Sequence, residues 1–357
     1  MPEEQHNGPT EQPPAVQVQN LLLRSSPHRL SEQSVNRVMW TVVASLAPAI
    51  ALAAWFFGLR AIAIIAGCAA LCIFFEYLLL RMRLDAKQAR SFAFDGSAAI
   101  TGILLAMNLP ASSPWWLVVV GSFVAMLLGK HVFGGIGQNI FNPALVARVF
   151  LLLSFPAEMT AWTQPKSPQE FLQLDAVTAA TPLGMIKSDG LAAYLEHASQ
   201  SGESLFRLFA GNVAGSLGEV SVFALLLGGL LLLWRGYISW HIPGSMIATV
   251  FVITGVFWMI DPNAYANPLL HVLTGGLMLG AIFMATDMVT SPVSAKGMII
   301  FGIGCGLLTA VIRLFGSFPE GVSFAILIMN GLTPMIDRYT RPQKFGAGKV
   351  AKELAHA

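Results

Sequence analysis

Long apolar runs separated by short polar interruptions occupy most of this chain. The runs fall at about 37–57, 61–80, 96–110, 115–133, 142–156, 219–235, 242–260, 269–287, 298–316 and 322–336. About 20 apolar residues in helical conformation cross the ~30 Å hydrocarbon layer of a bilayer. The pattern therefore predicts an all-α polytopic membrane protein with about ten transmembrane helices.

The third, fifth and tenth runs are short for a complete crossing and are rich in Gly, Asn or Pro. Helices that are broken or half-length line a site inside a bundle rather than face lipid. The runs also fall into two groups of five. We expect a division into 1–36 (N-terminal segment), 37–156 (first five helices), 157–218 (external region), 219–336 (second five helices) and 337–357 (basic tail).

Composition supports the membrane class. The chain is 55% hydrophobic and 11% charged, whereas soluble domains average about 25% charged residues. A soluble domain is therefore excluded, and the lipid bilayer is the expected surrounding. The net charge of +2 gives no reason to expect a nucleic-acid partner, because the basic residues are sorted by loop.

The basic residues predict an orientation. Fifteen Lys and Arg fall in segments on the side of the two termini, five fall on the opposite side, and Arg148 lies within a run. Cytoplasmic loops carry the excess of Lys and Arg. We therefore expect a bacterial inner-membrane protein with both termini in the cytoplasm and with 157–218 in the periplasm.

A weak internal repeat relates the two halves. TGILLAMNLPASSP at 101–114 aligns without a gap to LGAIFMATDMVTSP at 279–292. An odd number of spans in each half would make the halves inverted copies, and such folds place sites where the repeats meet. Short apolar stretches with Gly, Ser and Pro can also align by chance.

One candidate site lies at 134–144, which reads GGIGQNIFNPA. Gly135 allows close backbone approach, and Asn139 and Asn142 offer amide donors and acceptors to a planar ring. Asn142 and Pro143 also form a typical helix start. The residue types are equally compatible with a turn that the Asn residues cap without any ligand.

Acidic residues and cysteines within the apolar runs give further candidates. Asp287, in ATDMVTSP at 285–292, is a functional candidate, because an intramembrane acid is costly unless it is paired or wet. It could instead cap the next segment. For Glu76, a local ion pair with the nearby Arg81 and Arg83 is a sufficient explanation. Cys68 and Cys72 share a helix face, but without further ligands we expect buried thiols rather than a metal site.

Two polar stretches complete the set of candidates. GNVAGSLGE at 211–219 contains Gly215, Ser216 and Glu219 ahead of an apolar run. We favour a helix entry there, and the alternative is a set of N–H groups around phosphate or ring oxygens. The stretch 174–184 by itself is only a small-residue loop that contains Thr181.

Together, the motifs at 134–144, 211–219 and 285–292 resemble those of a family of membrane flavoproteins. That family comprises the RnfD component of the Rnf complex and the NqrB component of the sodium-pumping NADH:quinone reductase, and the resemblance covers most of 22–340. It implies FMN joined to Thr181 through a phosphoester, which a separate flavin transferase forms. The attachment motif would be Asp175, Thr178, Ala180 and Thr181. Ala179 replaces the usual Gly, and the Rnf branch, which also has fairly short chains, tolerates this change more readily.

The resemblance also implies the fold and the second site. The fold would be similar to that of urea transporters, with two inverted five-helix repeats. A non-covalent flavin, riboflavin, would lie at the segment of Asn139 and Asn142, with Gly135 beside it. Gly215, Ser216 and Glu219 would contact flavin, and Asp287 would take part in ion coupling. Met288 stands where the family commonly has Pro, which weakens the last inference.

The implied activity is electron transfer between ferredoxin and NAD(H), coupled to translocation of Na⁺ or H⁺. The sequence contains no NAD-binding fingerprint and no Cys cluster for an iron–sulfur centre. The chain would therefore act as one component of an oxidoreductase, together with iron–sulfur and flavin subunits. The alternatives are the NqrB component of a quinone reductase and a urea-permease-like channel without redox chemistry.

Overall fold

Helices fill the apolar runs of the first half. They are described in a computed structural model that covers residues 34–165, 178–202, 204–211, 213–219 and 221–341. A break at Leu46, where Pro48 follows in the next helix, divides the first run into two. The elements are α1 (Val35–Ser45), α2 (Ala47–Phe57), α3 (Leu59–Arg81), α4 (Ala86–Ala93), α5 (Ser97–Met107), α6 (Trp115–Met126), the π-helix π1 (Leu127–His131) and α7 (Pro143–Ser154).

The region between the halves is also helical in part. It contains α8 (Pro156–Met159), α9 (Pro182–Ser188), α10 (Leu191–Ser201) and α11 (Leu205–Ala210). The second half then contains α12 (Val222–Trp234), α13 (His241–Ile260), α14 (Pro268–Leu273), α15 (Leu277–Leu279), the π-helix π2 (Gly280–Met284), α16 (Ala295–Phe315) and α17 (Val322–Thr340).

Several of these helices are long and apolar enough to cross a membrane. Four meet that standard within the described residues: Val35–Phe57, Leu59–Arg81, His241–Ile260 and Ala295–Phe315. Shorter apolar helices are Ser97–Met107, Trp115–His131, Pro143–Ser154 and Val222–Trp234. The same part of the chain forms isolated β-bridges but no strand. The predicted class, an all-helical multi-pass membrane protein, is confirmed at this level.

Two expectations about individual runs are wrong. The sequence pattern predicts a short tenth run, but α17 has 19 residues and continues through Pro334. The pattern also predicts one continuous helix for the eighth run, which instead breaks between α14 and α15 at Gly275 and Gly276. These residues have φ of 69° and 66°, in the left-handed region that glycine adopts without strain.

Glycines allow the helices to pack closely. A Cβ on Gly102 in α5 would lie 2.6 Å from the backbone of α3, at Cys68 and Ala69. A Cβ on Gly306 in α16 would lie 2.7 Å from the carbonyl oxygen of Met246 in α13. Small residues at such crossings are typical of membrane bundles, where close van der Waals packing holds helices together.

The region between the halves has a small core of its own. Leu183 of α9, Tyr194 of α10 and Leu208 of α11 are buried together against Leu270 of α14. The sequence predicts a loop region here, and the structure instead shows short helices anchored on the second half. This region positions Thr181, the residue directly before α9.

Candidate functional site

A cavity of about 110 Å³ brings together residues that the sequence singled out separately. Asn139 and Asn142 from the first half and Asp287 from the second half line it, and Lys130 and Ser97 lie beside them. Ile100, Leu104 and Phe283 supply apolar walls. We call this space the amide cavity. Mostly apolar walls with a few convergent polar groups are typical of sites for small organic ligands.

Asn142 fills both of the roles that its sequence context suggested. Its Oδ1 accepts hydrogen bonds from the N–H groups of Ala144 at 3.1 Å and Leu145 at 3.4 Å, so it caps α7. Its Nδ2 donates to the carbonyl oxygen of Met284 at 3.2 Å. The first N–H groups of α7 are therefore occupied rather than available to an anion. The same side chain joins the two halves at the cavity wall.

Asp287 closes a local turn and also lines the cavity. Its two carboxylate oxygens accept from the N–H of Val289 and from the hydroxyl of Thr290, each at 3.3 Å. The expected cap on the next segment is wrong, because Ser294 caps α16 and Asp287 closes a turn ahead of it. The carboxylate also lines the amide cavity and interacts electrostatically with Lys130.

The sequence did not identify Lys130 as a site residue. It entered only the count of basic residues that predicts the orientation, where it was assigned to a loop. It is buried in π1, and its Nζ donates to Glu76 Oε1 and to Ser97 Oγ, the latter at 2.7 Å. The expected local pair of Glu76 with Arg81 or Arg83 is therefore wrong, since Glu76 pairs with a lysine 54 residues away. A lysine within an apolar run is costly unless it is paired or functional. The position of Lys130 inside the run 115–133 could therefore have marked it as a candidate site residue.

Both π-helices converge on the amide cavity. π1 places Lys130 there, and π2 places Phe283 in its wall and the Met284 carbonyl on Asn142. Single π-helical turns inside α-helices occur frequently at functional sites, because the extra residue redirects side chains. Here the irregular turns come from opposite halves of the chain and meet at one cavity.

Thr181 lies at a second, smaller cavity, which we call the threonine cavity. Its walls include Thr181, Glu219, Thr274 and Gly275. Thr181 is buried, and its Oγ1 caps α9 by accepting from the N–H of Gly184 at 3.0 Å. The break in the eighth run thus forms the wall opposite the predicted attachment residue.

Backbone pairing assembles the threonine cavity from distant segments. Thr163 forms isolated antiparallel bridges with Thr178 and with Gly215. The N–H of Gly218 donates to the carbonyl oxygen of Met107 at 2.7 Å, at the end of α5. The stretch 213–219 is therefore held against the end of α5, and Thr163 lies between this stretch and Thr178. Glu219 and Thr181 thereby line the same cavity.

Buried arginines stabilise this arrangement. Arg313 of α16 donates to the carbonyl oxygens of His271, Thr274 at 3.0 Å and Gly275 at 2.9 Å, which fixes the break in the eighth run. The guanidinium of Arg148 in α7 pairs with Glu320, just before α17.

The burial of Arg313 bears on the predicted orientation. In the count of basic residues on the two sides of the membrane, Arg313 was assigned to a loop on the side opposite the termini. Without Lys130 and Arg313 the basic residues still divide 14 to 4, so the predicted orientation does not depend on them.

Lys187 anchors α9 to the end of α16. Its Nζ donates to the carbonyl oxygens of Ile312 at 3.3 Å, Arg313 at 3.1 Å and Phe318 at 3.2 Å. Partial burial lowers the pKa of the Lys187 ammonium. A cation next to the last carbonyls of a helix is favourable, so this contact positions the helix that begins after Thr181.

Some predicted residues lie elsewhere. Gly135 is outside the amide cavity, with φ of 105°, and its N–H donates to the Lys130 carbonyl oxygen. Thr178 and Ala180 are exposed beside Thr181. Gly215 and Ser216 pack next to Glu219, and Ser221 rather than Glu219 caps α12. Asp175 lies outside the described residues.

All three cysteines lie within the described residues. Cys68, Cys72 and Cys305 are buried free thiols. No cluster of three or more His, Cys, Asp or Glu with the arrangement of a metal site occurs in the part of the chain that the structure describes.

Two short elements extend from one cavity towards the other. Ser97 and Leu104 of α5 line the amide cavity, and Met107 at the end of α5 accepts a hydrogen bond from Gly218, the neighbour in sequence of Glu219 in the threonine cavity. At 1.5 Å per residue, the 11 residues of α5 span about 16 Å. The eighth run likewise has Gly275 at one cavity and Phe283 at the other.

The side chains present are compatible with flavin at both cavities. Within the described residues, Glu219 Oε1 is buried at the threonine cavity without a hydrogen-bond partner. A Cβ on Gly276 would lie 3.1 Å from Glu219 Oε1, so the wall there has no room for a side chain. The amide cavity offers amide and ammonium donors between apolar walls, a donor set that suits a flat ring with carbonyl oxygens.

Comparison with known proteins places the chain among components of membrane oxidoreductases. It is 43% identical to the D subunit of the proton-translocating ferredoxin:NAD(+) oxidoreductase complex of Clostridium ljungdahlii, over 91% of this chain and 96% of the relative. It is 43% identical to the D subunit of the Na(+)-translocating ferredoxin:NAD(+) oxidoreductase complex of Acetobacterium woodii, over 94% and 98%. The D subunit of the ion-translocating oxidoreductase complex of Stutzerimonas stutzeri is 40% identical, over 91% and 96%. Residues 22–346 match the family model, and the chain therefore belongs to the NQR2, RnfD, RnfE family.

Proposed function

We propose that this chain is the membrane flavoprotein of an Rnf-type complex that passes electrons between ferredoxin and NAD(H) and translocates Na⁺ or H⁺. FMN is attached to Thr181 through a phosphoester, and a second, non-covalent flavin occupies the amide cavity. Relatives at about 40% identity along nearly the whole chain carry names of this kind of complex. Two of them are named for different ions, so the proposal does not choose the ion.

The observation that carries the proposal is the pair of cavities joined by the eighth run, which has Gly275 at one cavity and Phe283 at the other. These two residues are only eight positions apart in the sequence, so the run passes from one cavity to the other within about two helical turns. Two redox groups held in this way supply a path for electrons through the hydrocarbon layer. A simple pore has no need of two such sites.

The protein side chains bind and orient. Thr181 supplies the attachment oxygen, and Arg313 holds the opposite wall through the Thr274 and Gly275 carbonyls. Asn142 fixes the wall of the amide cavity to the Met284 carbonyl, and Lys130 places a positive charge beside it. The flavins, when bound, supply reversible electron transfer. The neighbouring iron–sulfur and flavin subunits supply and accept the electrons.

Asp287 remains the candidate for ion coupling. Its carboxylate is half-buried at the amide cavity and interacts electrostatically with Lys130. A change of charge in the cavity would alter the free energy of a cation or proton at this carboxylate, because charges interact strongly where water is scarce. The proposal places both termini in the cytoplasm, the region of Thr181 in the periplasm and the chain in the inner membrane.

The proposal predicts a covalent flavin that depends on one oxygen. In the complex produced together with its flavin transferase, Thr181→Ala should abolish the in-gel flavin fluorescence of this chain after denaturation. Ser188→Ala is the matched control, since Ser188 is an exposed hydroxyl at the end of α9 and lies outside the attachment motif. Fluorescence should persist in the control. Persistence in Thr181→Ala, or a colourless wild-type chain made with the transferase, would overturn the attachment.

Two other functions remain to be separated from this one. An NqrB component would be encoded beside the other subunits of a quinone reductase, whereas an Rnf-type component would be encoded beside ferredoxin-type subunits. A urea-permease-like channel would carry no flavin and would pass its solute in vesicles. The names of the relatives favour the Rnf-type complex.

A further inference from the structure

Lys130 is the buried cation of the amide cavity. It is 3% exposed, lies in π1 and lines the cavity together with Asn139, Asn142 and Asp287. Its own partners come from two different helices, Glu76 of α3 and Ser97 of α5. A lysine that only joined helices would not need to reach the cavity surface.

The hydrogen bonds of Lys130 leave one donor for a ligand. An ammonium group has three N–H donors. Within the described residues, Nζ uses one on Glu76 Oε1, which is not part of the cavity lining, and one on Ser97 Oγ, which lines the cavity beside Lys130. The two bonds hold the nitrogen in place, so the third donor has a fixed direction and loses little entropy when it binds an acceptor.

The charges around the cavity favour a ligand that is neutral and becomes electron-rich. Glu76 neutralises Lys130 in part, while Asp287 lies across the cavity within electrostatic reach of the ammonium. An anionic ligand would meet the Asp287 carboxylate. An uncharged ring with carbonyl oxygens can accept the Lys130 donor, and any negative charge that it gains is stabilised by the ammonium.

We propose that Lys130 binds the flat ring ligand of the amide cavity through its third N–H and raises the reduction potential of that ligand. The inference rests on the proposed function, because it takes the ligand to be the non-covalent flavin. Glu76 and Ser97 are positioning residues that hold Nζ at the cavity. Lys130 thus determines both retention and potential of the second flavin, separately from the attachment at Thr181.

The experiment uses the whole complex and measures non-covalent flavin against covalent FMN. Denaturation releases the former and leaves the latter on the chain. Lys130→Met should bind the non-covalent flavin about tenfold to a hundredfold more weakly, since a hydrogen bond to a charged group is lost. Lys130→Gln keeps a donor without the charge, and in a redox titration its flavin should have a lower potential. Lys296→Met changes an exposed lysine at the start of α16 and should alter neither the binding nor the reduction potential of the non-covalent flavin.

A second variant allows for a folding defect. Lys130→Met leaves Glu76 buried without its partner, which can destabilise the chain by itself. Glu76→Gln with Lys130→Gln removes both charges together, and it should still lower the potential while covalent FMN stays at the wild-type ratio. Unchanged retention and potential in this double variant would overturn the role of Lys130.

The outcomes distinguish this inference from the proposed function. A wild-type complex with covalent FMN but no non-covalent flavin would overturn the proposed occupant of the amide cavity, and the role of Lys130 with it. Loss of covalent FMN in Thr181→Ala concerns the other cavity and has no bearing on Lys130. A normal wild-type complex together with an unaffected Lys130 variant would leave the second flavin in place and reject the inference alone.

Discussion

Several side chains of the two cavities combine a local structural role with a place in the site. Thr181 Oγ1 caps α9, Asn142 caps α7, and Asp287 closes a turn, while all three line a cavity. A phosphoester at Thr181 would remove a hydroxyl hydrogen but leave lone pairs on Oγ1. The cap, in which Oγ1 accepts from Gly184, is therefore compatible with attachment.

Asn142 offers a way to separate its two roles. Asn142→Ser should keep the cap on α7 but lose the bond from Nδ2 to the Met284 carbonyl. Asn142→Ala should lose both and cost about 1 kcal/mol more, the usual value of an N-cap. Thermal unfolding of the detergent-solubilised chain measures the difference. Equal stability of the two variants would show that the cap contributes nothing.

At the scale of elements, short and interrupted helices create the cavities. α5 ends after 11 residues. The eighth run breaks at Gly275 and Gly276, where Arg313 donates a hydrogen bond to the Gly275 carbonyl oxygen. Close packing between α5 and α3 depends on Gly102, which contacts backbone atoms rather than flexible side chains. The position of the amide cavity, which α5 lines, therefore depends on this crossing.

Two glycine-to-alanine variants test that dependence. Gly102→Ala should force α5 away from α3 and cost about 1–3 kcal/mol, as overpacking of a core does. It should also reduce retention of non-covalent flavin. Gly255→Ala in α13 is the control, because its Cβ would lie 3.8 Å from Pro268, an ordinary contact. It should be neutral or slightly stabilising, since Ala is the better helix former. Equal unfolding temperatures for both variants would contradict the prediction.

At the scale of the whole molecule, the helices of the two halves pack in the same order, and the inverted relation of the halves stays a prediction. In the first half α3 packs against α5 and α6, and α6 packs against α7. In the second half α13 packs against α14 and α16, and α16 packs against α17. The Arg148–Glu320 pair and the Asn142–Met284 bond join the halves. A site between such halves is where alternating or coupled states are expected.

The proposed orientation has a direct test. Cys68, Cys72 and Cys305 are buried, so a membrane-impermeant thiol reagent should react slowly with the wild-type chain. Ser188 in α9 and Lys296 in α16 are both exposed. Ser188→Cys should be labelled in intact spheroplasts, whereas Lys296→Cys should be labelled only after the membrane is opened. The reverse pattern would invert the topology.

Much of the architecture could be predicted because it is local. The length and polarity of each run are properties of consecutive residues, and they indicated the membrane class and most helix positions. The family motifs located Asn139, Asn142 and Asp287, which the structure then placed at one cavity. The break in the eighth run was missed, since two adjacent glycines inside an apolar run do not by themselves reveal that an arginine 38 residues away holds the turn.

By itself the sequence determined the all-helical membrane class and the cap at Asn142, whereas Thr181 became a candidate only through the resemblance to a family. The class follows from the length of the apolar runs, and the cap follows from residues adjacent in the chain. Only the tertiary structure decided that Glu76 pairs with Lys130 and that Thr181 meets Glu219. Such partners are separated by tens of residues, so their meeting depends on helix packing. For Glu76 and Lys130, packing brings two buried charges together because each is costly alone.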